Sequence, residues 1–148
     1  MKLVDTNIFV HYLSGGPRAG DIEKLLIIHA DLVTTLRIVD EAMFVIIRRI
    51  VLEKLGIRRL DKLREHIRKH GIGFATDKLR AFIDMLEELD IPALKDWAEP
   101  RELLETMEKH NLTPSDAIIA ITCRHYGIRT IITFDEDFKQ VPWLHVIP

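Results

Sequence analysis

Residues 3–10 read LVDTNIFV, a short apolar run followed at once by an aspartate. Leu3 and Val4 with their neighbours have the character of a brief buried strand, which puts Asp5 just past its carboxyl end. Residues 32–35 (LVTT) and 129–133 (RTIIT) read the same way, and Leu144–Ile147 forms a weaker strand. Between them lie segments of helical period at about 19–30, 37–54, 59–70, 77–89, 100–110 and 114–126. Thr113 and Pro114 mark a helix start, while Gly56, Gly71 and Gly127 fall where helices should stop. Strands separated by whole helices cannot be hairpins, so the expected fold is α/β, a mainly parallel sheet with helices on its faces. We see no repeat or linker and expect a single domain over 1–148, with residues 56–90 able to project from it as a small helical arm.

Composition narrows the function classes. The chain has 148 residues, 47% hydrophobic and 30% charged, as in a soluble globular protein. Cys123 is the only cysteine, which excludes an internal disulfide framework and a cysteine-rich zinc site. The opening lacks the pattern of a signal peptide and no run is long enough for a membrane span, so a cytoplasmic protein is expected. Twenty-one Lys and Arg against 23 Asp and Glu leave a net charge of −2 and no general basic coat. The charge is unevenly spread: Arg48 to His70 holds nine Lys and Arg against three acids. Such a stretch is either a solvated face or a surface that steers a polyanion.

Open parallel sheets bind ligands beyond the carboxyl ends of their strands. Asp5 follows the first strand and Asp135 follows RTIITF, so acids from opposite ends of the sequence should share one rim. Taken singly, Asp5 could be an Asx turn or N-cap, and Asp135 a turn residue. Glu41 lies in RIVDEAMFVIIRRIV, which is apolar on nearly every face as far as Arg48, so the helix should be buried and its carboxylate should need a cation, a metal or a proton. We prefer it to Asp40, which suits the helix dipole. Asp116, in LTPSDAIIAI, has the spacing of a capping box with Thr113, and its helix start should also lie near the rim. Carboxylates converging on one rim repel one another unless a cation intervenes. All-oxygen donors without histidine or cysteine suit Mg²⁺ or Mn²⁺, ions able to activate water and stabilise charge on a phosphodiester oxygen.

Together, LVDTNIFV, VDEAMFVI, LTPSDAIIAI and IITFDEDF resemble, in order, the motifs of the PIN-domain family of metal-dependent ribonucleases, most of all its VapC-type toxins of toxin–antitoxin pairs. The resemblance covers nearly the whole chain, although residues 56–96 hold no motif we can match. It implies a three-layer α/β/α sandwich and a metal-binding and catalytic quartet of Asp5, Glu41, Asp116 and Asp135, with Asp137 as helper. Asn7 and Thr133 would orient ligands or substrate, and Ser115 could hydrogen-bond a ligand carboxylate. The implied partners are RNA, an antitoxin chain and a second copy of the protein; the implied cofactor is Mg²⁺ or Mn²⁺. Arg18, Arg48, Arg49, Arg58 and Arg59 are the candidates to touch RNA.

Other readings stay open. A housekeeping PIN-type RNA-processing nuclease would use the same acids. In a non-catalytic binding or scaffold module, Asp116 would cap, Asp5 and Asp135 would make turns, and Glu41 would pair with Arg37 or Arg124. An aspartyl-nucleophile phosphatase fits less well, because the second aspartate expected two residues after Asp5 is Asn7. GGPRAGD at 15–21 lacks the ending of a phosphate-binding loop and reads as a flexible turn. Trp97, Trp143, Phe74 and Phe82 are expected to be buried, and Cys123 to be core.

Overall fold

A computed structural model describes residues 1–148. Five strands, β1 (Lys2–Val4), β2 (Leu32–Thr35), β3 (Ala93–Leu94), β4 (Thr130–Ile132) and β5 (His145–Ile147), form one sheet in the order β3-β2-β1-β4-β5. Every pairing is parallel, with Leu3 opposite Val33 on one side and Ile131 on the other. Seven helices supply the crossovers: α1 (Thr6–Leu13), α2 (Ala19–Ile28), α3 (Leu36–Leu55), α4 (Leu60–His70), α5 (Thr76–Glu88), α6 (Pro100–His110) and α7 (Pro114–His125). No helix is long and apolar enough to cross a membrane.

Strands buried on both faces explain the uninterrupted apolar runs in the sequence. Leu3, Val4, Ile131 and Ile132 are fully buried, and Ile38, Ala42, Ala117, Ile119 and Ala120 pack in the same core from α3 and α7. Each such large aliphatic contributes about 1.5–3 kcal/mol relative to its exposed state.

The strand order decides where a site can be. From β1 the chain steps outward through β2 to β3, then returns to the opposite side of β1 for β4 and β5. The reversal leaves a crevice at the carboxyl ends of β1 and β4, the usual ligand position in open α/β sheets. Since α3 and α7 run back against the strands, their first turns open onto the same rim.

Several elements differ from the expectations. The sequence reading had no helix over Thr6–Leu13, because TNIFVHYL is rich in β-branched and aromatic residues of poor helix propensity. Packing overrides that preference: Ile8 and Phe9 are fully buried, and Phe9 meets Phe82 at 5.5 Å between ring centroids. β3 was also missed, being only two residues long. The expected buried helix around Glu41 is corrected: Leu36, Phe44, Leu52 and Leu55 of α3 are exposed, and Glu41 is half-buried. α5 is no part of a projecting arm, since Phe82, Met85 and Leu86 enter the core, whereas α4 buries only Leu63. Phe82 and Trp143 meet the expectation of packing in the core, but Trp97 is 48% exposed and stacks on His125 at 4.3 Å.

Candidate active site

Asp5 is the N-cap of α1 and only 6% exposed. Its Oδ1 accepts the Thr6 amide at 2.7 Å, and its Oδ2 accepts the Asn7 side-chain amide at 2.9 Å and the Thr133 hydroxyl at 2.6 Å. Three accepted bonds leave a carboxylate with about four lone-pair sites room for one more partner. The capping alternative is therefore correct as geometry and incomplete as an account, because burial raises the Asp5 carboxyl to about 6 despite the bonds from Thr133 and Thr6. The charges of Glu41 and Asp116 push the same way.

Asn7 fastens the exits of β1 and β4 together. Its amide nitrogen also donates to Thr133 Oγ1 at 2.9 Å, and its Oδ1 accepts the Phe134 amide at 3.0 Å. Thr133 Oγ1 in turn accepts the Asp135 amide at 2.9 Å. Asp135 caps the following 3-10 turn (Glu136–Gln140), accepting the Asp137 amide at 2.8 Å through Oδ1.

Glu41 occupies the second turn of α3, whose N-cap Thr35 ends β2. Ser115 Oγ lies 3.5 Å from its Oε2, at the limit of a hydrogen bond. Glu41 is raised by burial first, then by the charge of Asp116, while Arg37 tempers it. Asp116 sits on the first turn of α7, capped by Thr113, whose hydroxyl donates to Asp116 Oδ2 and accepts the Asp116 amide. Burial raises its carboxyl, as do Asp135 and Asp137, against the bond from Thr113.

Asp5, Glu41, Asp116, Asp135 and Asp137 thus come from four places in the chain and act on one another electrostatically. No three His, Cys, Asp or Glu side chains converge closely enough here to cage an ion. Asp5, Glu41, Asp116 and Asp135 each accept a hydrogen bond from a protein donor. The donor set nonetheless fits a hard divalent cation: it is all oxygen, Glu41 Oε1, Asp116 Oδ1 and Asp135 Oδ2 have no protein partner, and no lysine or arginine is paired with Glu41. Two buried oxygens nearby, Thr6 Oγ1 and Asp96 Oδ1, also lack partners.

The PIN-domain profile matches residues 2–144. The chain belongs to the PIN-domain family. It is 29% identical over 147 residues to Ribonuclease VapC6 of Methanocaldococcus jannaschii, covering 97% of this chain and 94% of that one. The fold resembles that of VapC20 of Mycobacterium tuberculosis, described as a sarcin–ricin-loop-cleaving toxin, with a TM-score of 0.65 at 17% identity over the whole of both chains. It also resembles FitAcB of Neisseria gonorrhoeae, with a TM-score of 0.56 at 17% identity over 100% of this chain and 97% of that one.

Within this PIN domain the candidate RNA-contacting arginines separate. Arg18 lies at the rim, its guanidinium 4.9 Å from the centre of the Phe134 ring, which His11 meets edge-on. Arg48 and Arg49 lie on the distal half of α3, with Arg58 and Arg59 beyond its end, so the fold does not bring these four to the acids. The arginines proposed as structural partners of Glu41 are engaged elsewhere: Arg37 with Asp40 at 3.5 Å and Ser115 Oγ at 3.2 Å, Arg124 with Glu102 and the Trp143 ring. Cys123 is fully buried, its thiol pushed up to about 12 by burial and then by the Asp5 charge, and is an inert core group.

Sequence reasoning missed Asp96, Thr34 and Phe134. Asp96 Oδ2 accepts the Arg37 amide at 2.9 Å and so fastens the loop after β3 to the start of α3. Thr34, fully buried, donates to the Val4 carbonyl at 3.1 Å and fixes β2 against the end of β1. The signal for Asp96 was present, since it follows a strand as Asp5 and Asp135 do, but that strand is too short to stand out.

Proposed function

We propose that this PIN-domain protein is a Mg²⁺- or Mn²⁺-dependent endoribonuclease and the toxin of a toxin–antitoxin pair, working in the cytoplasm as a homodimer restrained by an antitoxin chain. The observation that carries the reading is the electrostatic coupling of Asp5, Glu41 and Asp116 beside Asp135, each of the first three carboxyls being raised by burial and by its acidic neighbours. Similarity to Ribonuclease VapC6 along nearly the whole chain supports RNA as the substrate, and the resemblance of LVDTNIFV, VDEAMFVI, LTPSDAIIAI and IITFDEDF to the motifs of VapC-type toxins supports the toxin role.

Asp5, Glu41, Asp116 and Asp135 would hold the ion, with Asp137 close by. When bound, it would supply a more acidic water and compensate charge developing on the phosphodiester. The chain's own residues prepare the place. Thr133 and Asn7 orient Asp5, Ser115 steadies Glu41, and Thr113 sets the direction of Asp116. Arg18, beside Phe134, would meet a phosphate at the rim.

The test uses purified protein freed of any partner, incubated with RNA and either metal. Wild type should cleave, whereas Asp116→Asn should lose cleavage while retaining cooperative thermal unfolding. A wild type inert with both metals, or an Asp116→Asn enzyme of normal rate, defeats the proposal. An open reading frame for a short DNA-binding protein directly upstream would separate the toxin from an RNA-processing nuclease. The scaffold reading loses its arginine partner for Glu41, because neither Arg37 nor Arg124 forms an ion pair with it, although Asp5, Asp116 and Asp135 do take the capping and turn positions it expects.

A further inference from the structure

The densest positive charge in the chain lies away from the acids. Four cations, Arg58, Arg59, Lys62 and Lys69, and the carboxylate Glu65 line a concavity of about 510 Å³ formed by the α3–α4 loop and α4, and Asp61 pairs with Arg59 at 2.8 Å, which leaves a local excess of two positive charges. Ile57 is its one hydrophobic lining residue. Arg48 donates to the Arg58 carbonyl at 3.2 Å, pinning this loop to α3. Glu65 binds Lys62 at 2.9 Å and Lys69 at 2.8 Å, which keeps both ammonium groups on one side of α4.

A protein segment docking here would find one hydrophobic side chain, Ile57, to pack against, whereas interface cores are rich in such side chains. Phosphates require what the cleft offers, several cations held at fixed spacing. The catalytic rim by itself repels a polyanion, so affinity for RNA has to come from another part of a chain whose net charge is −2. Gly56, the C-cap of α3, is fifteen residues beyond Glu41, roughly 22 Å along the helix axis.

We infer that the cleft between the α3–α4 loop and α4 binds the phosphate backbone of RNA at a distance from the acids, and so favours substrates long enough to reach both places. The inference rests on the ribonuclease reading for its role in catalysis, although binding at the cleft can be measured separately.

The experiment uses the full chain carrying Arg58→Ala, Lys62→Ala and Lys69→Ala together, and a second variant, Lys62→Arg with Lys69→Arg, that keeps the charge. Binding of a single-stranded RNA of about 30 nucleotides is followed in EDTA at rising salt, and cleavage of that RNA and of a hexanucleotide is followed with Mn²⁺. The triple variant should bind the long RNA about tenfold more weakly at low salt, and its log–log salt slope should fall by about 2, the share of three phosphate contacts on a single strand. Hexanucleotide cleavage should stay within about twofold, and the charge-preserving variant should bind like wild type. Unchanged binding of the long RNA overturns the inference, and so does an equal loss on the hexanucleotide or in the charge-preserving variant. If wild type cleaves neither RNA while the triple variant still loses binding, the ribonuclease reading falls and the cleft stands.

Discussion

The Thr133 hydroxyl donates to Asp5 Oδ2 at 2.6 Å, joining the exits of β4 and β1 across 128 residues of chain. The same oxygen accepts from Asn7 and from the Asp135 amide, so one side chain organises both halves of the rim.

Thr133→Val keeps the shape of the side chain and removes these bonds. Because Thr133 is 1% exposed, the groups it leaves behind stay largely desolvated, and we expect a loss of about 1–3 kcal/mol in chemical denaturation. The bond also holds the Asp5 carboxyl down, so its titration in the variant should move further up. Stability and titration both equal to wild type would show that the hydroxyl has no such role.

Metal-free protein should lose stability as pH rises from about 4 to about 6. Asp5 titrates near 6 when folded and near 3.8 when unfolded, so within this window the native state keeps a proton that the unfolded chain has released. The stabilisation is complete below the lower value and gone above the upper one, on the order of 2–3 kcal/mol. Glu41 and Asp116, also raised, act in the same direction. Thermal midpoints recorded in EDTA across this range would contradict the coupling if they rose instead.

A divalent cation should reverse that loss at neutral pH. Mn²⁺ at a hundred times its dissociation constant would add about 2.7 kcal/mol to the unfolding free energy. Asp116→Asn should abolish most of this increment while slightly stabilising the metal-free protein, by less than about 1 kcal/mol, because it removes a charge that raises both Asp5 and Glu41. Indifference of wild-type unfolding to Mn²⁺ and Mg²⁺ alike would remove the metal from the account.

The two middle helices should behave differently in hydrogen exchange. α5 carries the fully buried Phe82 against Phe9, so its amides should be protected nearly to the global limit, and Phe82→Ala should cost about 3–5 kcal/mol. α4 is held by Leu63 and by His66 against Phe74, so it should exchange through local opening. Equal protection in both would mean that α4 is part of the same cooperative unit.

The parts of the fold with strong period or punctuation were readable in the sequence. Pro114 after Thr113 marked the start of α7, and Gly56 marked the end of α3 by taking the left-handed conformation at φ 64°. Aspartates after apolar runs pointed to the rim because a parallel sheet aligns every strand's carboxyl end. What the sequence withheld depended on tertiary contact. α1 is helical because Ile8 and Phe9 are buried, against the preference of its residues, and β3 exists only through its pairing with β2. The exposure of Trp97 and of much of α3 likewise has no local signature, since apolar residues read the same whether another element covers them or not.

The central position of β1 also bears on synthesis. Asp5 is made well before the strand that completes its surroundings, since β4 lies roughly 130 residues further along the chain, about 7–25 s at ordinary elongation rates. Until then a nascent chain has no assembled rim, and its acids from the two halves of the sequence meet only once β4 has paired with β1.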